Sequence, residues 1–493
     1  MRFGFVGSHF VSESPKANNA ALFNWYPEID ESGSARNSIL LYPSPGYRRF
    51  STDNAVGPVR GMIDVGSRAF VLIRSTFYEI SASGGLTAKG TVSSTTGPVS
   101  MAANENYILI VAGGHGYTYD LAATFGLIAS VNFPASPIVA GFSDGYFIVL
   151  SSNGYFYLSA LDDPLTWAGS IDSERVQAPS NQVVGMVILN RRIWIMGDRL
   201  IQPFWNSGNP SFPYEADLSA TMNQGLAAQF GANVIPDENT IAWLGHNDAG
   251  QGVAYMADGA NPVRISDHSF ESEVATYSTI ADAVGMVFQI KGHVIWSLTF
   301  PTAGTTWRYD FTASRLSGRH LWHRAAYWNA STGSYEAHRA MYHIHWLNKH
   351  IVGDRGNGKL YEMNIASRAA DGTALFCDDD GDVIRRLRRC PHIHNENKTI
   401  YYGSLEIILE PGIGLVSGQG SDPQATVRFS NDGGENWSDE LWASAGKIGK
   451  TQQRVRFDRQ GSGRDRVVEL VVTDPVAWRI IDAEYNNVTV GLS

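Results

Sequence analysis

Apolar and polar residues alternate in short runs along most of this chain, and Gly, Ser, Asn and Asp punctuate the runs. RAFVLIRSTFYEI at 68–80, NYILIVAGGHGYTYDL at 106–121 and DGYFIVLSSNGYFYLSAL at 144–161 each read as strand, turn, strand. NRRIWIMGDRLIQPFW at 190–205 repeats the theme, and looser versions start near residues 251, 291 and 348. Taking Phe70, Tyr107, Tyr146, Ile193, Val253, His293 and His350 as equivalent points gives spacings of 37, 39, 47, 60, 40 and 57 residues. Antiparallel units recurring every few tens of residues predict the blades of a β-propeller, six or seven of them. The competing architecture is a pair of β-sandwiches built from similar hairpins.

The texture changes near residue 365. A polar, charged stretch containing CDDDGDVIRRLRR is followed by further alternating strands, among them GSLEIILEPGIGL, ATVRFSNDGGENW and RDRVVELVVTDP. These predict a separate β-sandwich-like domain. The expected division is an N-terminal arm or platform segment at 1–55 that docks on something else, a propeller at 56–365, and a C-terminal β-rich, sandwich-like domain at 366–493.

Composition agrees with an all-β class. The 50 Gly, 21 Tyr, 22 Phe and 13 Trp supply turns and strands rather than long helices. Net charge is −10, and acidic residues outnumber basic ones on both sides of residue 366. A protein gripping duplex DNA through its phosphates would carry a basic surplus. Cys377 and Cys390, the two cysteines of the chain, are expected to be reduced thiols of a protein made in a cytoplasm. No apolar run is long enough for a membrane span, and the N-terminus lacks a signal peptide's apolar stretch.

Four features invite chemistry. SNDGGENW at 430–437 fits the Asp-box, S-x-D-x-G-x-x-W, a turn that recurs in sialidase-type propellers. In it Ser430, Asp432, Gly434 and Trp437 serve the turn: the carboxylate accepts backbone N–H groups, glycine adopts a positive φ, and the indole packs beneath. One copy, outside the blade-like region and without a marked set of arginines, nucleophile and acids, predicts no glycosidase. CDDDGD fails as a calcium loop, because with Gly381 at the sixth position Phe376 and Leu387 fall at the two outer ligand positions. His343 with His345, and His392 with His394, lie two apart on one strand face; they are expected to be hydrogen-bonded rather than to hold a metal. RRLRR at 385–389 is the densest basic run. It predicts an edge strand with Arg385 and Arg389 on one side and Arg386 and Arg388 on the other. Those arginines are expected either to pair with the neighbouring acids or to contact a subunit or DNA phosphates. No catalytic residue and no cofactor is expected.

The order of the unusual segments resembles a known family. VRGM at 59–62, IMGDRLIQPFWNSGNPSFPYE at 195–215, IAWLGHNDAGQGVAYM at 241–256 and NPVRISDHSFESE at 261–273 come first. GHVIWSLTFPTAGTTWRYD at 292–310, LWHR at 321–324, RRLRRCPHIHNENKTI at 385–400 and the run from Val427 to Pro475 follow. Together they resemble the packaged-DNA stabilisation proteins, the tail hub or nozzle proteins of short-tailed bacteriophages. The resemblance implies a structural virion protein, a propeller joined to a β-rich platform. It also implies a ring of six copies below the portal and adaptor, which shapes the DNA exit channel and docks a needle or fibres. The alternative function is a propeller-type, carbohydrate-binding or sialidase-like tail component acting on host surface glycans.

Overall fold

A computed structural model describes residues 1–167, 173–175, 182–247 and 249–491. The chain is almost wholly strand, and its strands group into seven blade-like sheets and a sandwich. The first blade comprises Val59–Val65, Arg68–Ile73, Thr76–Ile80 and Leu86–Thr91, each antiparallel to the next. The same four-strand meander begins again at Ser100–Ala103, Pro137–Ser143, Val183–Leu189, Ala232–Ile235 and Val284–Ile290. In the seventh sheet Ala340–Trp346, Lys349–Asp354 and Leu360–Asn364 are joined by Gly46–Arg49 from near the N-terminus. The innermost strands neighbour one another around a ring, and the seventh packs on the first. The expected propeller is therefore present, with seven blades among the described residues.

Tight hairpins make the repeat. The inner strands of the third and sixth blades turn into the second strands through Asp144-Gly145 and Lys291-Gly292, with φ of 53° and 85° and of 52° and 85°. Two successive positive φ values match the right-handed twist of the flanking strands. Apolar residues on both faces of the second strands, such as Phe147–Leu150 and Ile193–Met196, fill the layers between blades. Six of the seven marker positions fall on second strands. Val253 lies instead on the fifth blade's third strand, Gly252–Asp258, because the second, Thr240–His246, is the weaker hairpin signal.

The N-terminal segment is not an arm that docks elsewhere. Gly46–Arg49 pairs with Leu360–Asn364, so the last blade takes its outer strand from the other end of the chain. A ring closed this way ties the segment leading into the first blade to the last blade through a shared sheet. Leu22–Phe23 joins Trp322–Arg324 of the sixth blade to Arg386–Arg389, and the sheet runs on through Asp465–Val472, Gln424–Ser430 and Leu441–Ser444. Opposite it, Trp25–Ile29 and Ile39–Pro43 pair with Ile480–Asn486, Ser404–Leu409 and Val455–Asp458. The core between these sheets mixes both chain ends: Phe5, Leu22, Trp25 and Leu41 pack with Val427, Leu470, Trp478 and Tyr485.

Candidate functional site: the arginine strand and the Asp-box turn

Arg386–Arg389 is a central strand, held by Leu22–Phe23 on one side and Asp465–Val472 on the other. The side chains alternate as expected, but the expected exposed edge does not exist. Arg386 and Arg388 are buried, and burial pulls both guanidinium pKa values down to about 10. Arg388 donates to the carbonyls of Phe5, Ser8 and Ala21 and so fixes the N-terminal segment along the sandwich. Arg386 makes only long bonds, 3.4 Å each, to the carbonyls of Ile384 and Cys377. A guanidinium enclosed in this way has no path to a phosphate or to a second subunit. Two of the four candidate contact residues are thus structural.

Arg385 and Arg389 remain partly exposed at opposite ends of the strand. Arg385 donates to the Tyr335 hydroxyl at 2.7 Å and lies over the ring of Trp328 at 4.7 Å. Arg389 grips Glu469, a carboxylate with no exposed surface, at 2.6 and 3.0 Å. Arg428 takes the other oxygen of Glu469 at 2.7 Å. Both arginines then cover the Trp437 indole, at 5.0 and 4.6 Å from its centre. The acids of CDDDGD do not pair with this strand. Asp379 and Asp382 bind Arg339, and burial pushes Asp379 up to about 7 although Arg339 opposes the shift.

The Asp-box turn sits beside this arginine pair. The Asp432 carboxylate accepts the backbone N–H groups of Glu435 and Asn436 at 3.1 and 3.0 Å and the Ser430 hydroxyl at 2.6 Å. The Asn436 backbone bond and the Ser430 hydroxyl hold it well below the usual carboxylate range. Gly434 has φ of 102°, and a Cβ there would stand 2.6 Å from the Asn19 amide nitrogen. Asn19 bridges the two features, donating to the Gly433 carbonyl at 2.9 Å and accepting from Arg389 at 2.7 Å. His392 adds a further tie, 2.8 Å from the Pro15 carbonyl and 2.7 Å from Asp465. The turn and the arginine run, separate in sequence, form one seat for residues 15–21. The carboxylate of Asp432 is occupied by its own turn, which leaves it nothing to offer a sugar.

Two family models match the chain in succession. One, described as bacteriophage P22 Gp10, beta-propeller, covers residues 11–368; the other, bacteriophage P22 Gp10, beta-sandwich, covers residues 385–486. The chain belongs to the P22 Gp10 family. It is a member of a family of structural proteins of the bacteriophage tail. The split between the two Gp10 models falls in the charged stretch around CDDDGD. The propeller model starts at residue 11 and so takes in the strand Gly46–Arg49 that closes the seventh blade. No match was found among curated proteins.

Several solved structures are similar to this Gp10-family chain. The WD40 β-propeller domain of Doa1 is 12% identical, with 64% of this chain and 97% of that one covered and a TM-score of 0.40. The N-terminal domain of Nup159 is 11% identical, with coverage of 70% and 99% and a TM-score of 0.40. The extracellular domain of a one-component system from B. thetaiotaomicron is 8% identical, with coverage of 83% and 48% and a TM-score of 0.44.

The histidines of this Gp10-family protein serve several structural roles. His343 and His350 are hydrogen-bonded to each other at 3.0 Å, and burial drives His343 down to about 3. Among the described residues, no cluster of three or more His, Cys, Asp or Glu could hold a metal ion. Sequence reasoning missed His293, which lies 2.6 Å from Asp310 and 3.0 Å from Glu28. Burial alone would lower its pKa, but the two carboxylates outweigh it and hold the imidazolium up to about 10. This ion triad ties Trp25–Ile29 to the sixth blade. No local spacing could reveal it, since Glu28 is 265 residues away.

Proposed function

We propose that this protein is a subunit of a ring of six copies in the phage tail, below the portal and adaptor. There it narrows the exit channel for packaged DNA and offers surfaces for a needle or fibres. The observation that carries this reading is the match of both family models, in order, across most of the chain. Membership of a tail family leaves open which passage the DNA takes, and the propeller axis argues for a passage between copies. The cavity on that axis is about 260 Å³, lined by Met62, Met101, Met186, Val284 and Tyr342. That is room for on the order of ten water molecules. The linker between the fourth and fifth blades also crosses it. Gln229 donates to the Ile138 carbonyl of the third blade at 2.7 Å, and the Phe230 carbonyl accepts from Gly285 of the sixth at 2.7 Å. DNA therefore runs along a surface made by several protomers. The net charge of −10 favours a wall past which a polyanion slides rather than one that holds it.

Cryo-electron microscopy of intact tails tests this directly. Six copies around a central channel, each with its propeller axis off the DNA path, are expected. A monomer bound peripherally, or absence of the chain from purified particles, would overturn the reading.

A further inference from the structure

Three adjoining strands of the sixth blade set Ser297 opposite Arg308, and Arg308 opposite His323. Residues opposed across antiparallel strands point to one face with Cβ atoms about 4.5–5.5 Å apart. That face packs towards the seventh blade: Phe288 and Ile295, which line it, share a core with Ala340, Val352 and Tyr361. The Phe288 ring lies 5.3 Å from the Arg308 guanidinium. Tyr47, on the closing strand Gly46–Arg49, brings its hydroxyl to 3.5 Å from Arg308 Nη2.

All three residues are at most 1% exposed. Yet Ser297 Oγ, Arg308 Nε and Nη1, and both ring nitrogens of His323 have no hydrogen-bond partner in the protein. Among the described residues, no carboxylate forms an ion pair with Arg308. The nearby acid Asp310 is committed to His293, and Asp379 to Arg339. An enclosed guanidinium without a counter-charge is destabilising even after relaxation, and each orphaned polar atom adds to that cost. Five such atoms on adjoining strands of one blade call for a partner that the protein itself does not supply.

We infer that Ser297, Arg308 and His323 bind a small inorganic anion of the halide class, between the sixth and seventh blades. Burial and the Arg308 charge keep His323 neutral, so the imidazole supplies one N–H. The guanidinium supplies two more donors and the serine hydroxyl a fourth. Donors carrying one positive charge that no carboxylate pairs with directly suit a spherical monovalent anion. Water is the competing occupant, but it brings no charge to the guanidinium. Because Tyr47 belongs to the strand that closes the ring, the bound anion braces the closure.

Crystals of the full chain soaked in bromide are expected to show an anomalous peak within hydrogen-bonding distance of Arg308 and His323. Thermal unfolding at equal ionic strength is expected to occur several degrees higher in sodium chloride or bromide than in sodium gluconate, whose anion is too large for the site. Arg308→Met is expected to abolish both the peak and the difference between salts. Ser297→Ala, which keeps the charge and loses one donor, is expected to raise the bromide concentration for half-maximal stabilisation several-fold. No bromide peak in the wild-type protein, with equal midpoints in chloride and gluconate, would mean water alone and overturn the inference. So would a peak that persists in Arg308→Met. The wild-type measurements decide the matter even if that variant does not fold.

Discussion

The blades and the seam that joins them to the sandwich are both buried and both β, but they are built in different ways. A blade is local. Its strands follow one another through hairpins of a few residues, and its layers are apolar, as with Phe70, Leu72, Ile108 and Ile110 between the first two. The seam is non-local and charged. Arg388 binds carbonyls more than 360 residues away, Glu469 receives two guanidinium groups, and His293 is clamped by two acids. Apolar layers tolerate substitution of similar volume, whereas a buried ion network fails when one member is lost. The blades thus determine the architecture, and the seam determines how the two chain ends are locked to it.

The largest effect should come from removing residues 1–49. The seventh blade then loses its outer strand and the sandwich core loses Phe5, Leu22, Trp25 and Leu41. Expression is expected to yield aggregate with no cooperative thermal transition, whereas a self-sufficient propeller would stay soluble and melt sharply. Next comes Glu469→Ala, which leaves Arg389 and Arg428 facing a buried void and should cost about 3–5 kcal/mol in denaturant unfolding. As the blade-side counterpart, Leu150→Ala should cost about 2–5 kcal/mol but leave residues 1–24 as resistant to protease as in the wild type. Glu469→Ala should expose them.

The pH dependence sharpens the contrast further. The folded pKa of His293, about 10, lies above the ordinary imidazole value of 6.5. The triad's contribution is therefore complete below about pH 6.5 and is lost as pH rises towards 10. The unfolding midpoint of His293→Phe should be flatter than wild type across that window; an unchanged slope would remove the triad from the seam. The smallest effect is expected for Arg385→Ala, where a partly exposed stack on Trp328 and Tyr335 contributes about 0.5–1 kcal/mol. A larger loss of tail assembly than of stability in that variant would mark Arg385 as a contact to another protein.

The blade hairpins were legible because each is written within one short stretch. Asp144-Gly145 and Lys291-Gly292 demand positive φ, and the alternating runs beside them have a period of two. The Asp-box was legible for the same reason, since Ser430, Asp432 and Gly434 satisfy one another within five residues. RRLRR misled because a charged run reads as surface. Burying Arg386 and Arg388 depends on two strands, one of them more than 360 residues earlier in the chain. The N-terminal segment misled too, since nothing in GYRR names Leu360–Asn364 as its partner.

By itself, then, the sequence determined the strands, their turns, the all-β class and the family, because hydrophobic period and turn chemistry act over a few residues. Tertiary structure alone decided that seven blades close with a strand from the N-terminal end, and that Gln229 and Phe230 line the central cavity. It also decided which arginines are buried and which reach the surface. Those outcomes depend on which distant groups can neutralise a charge or complete a sheet edge, and such partners have no fixed separation along the chain.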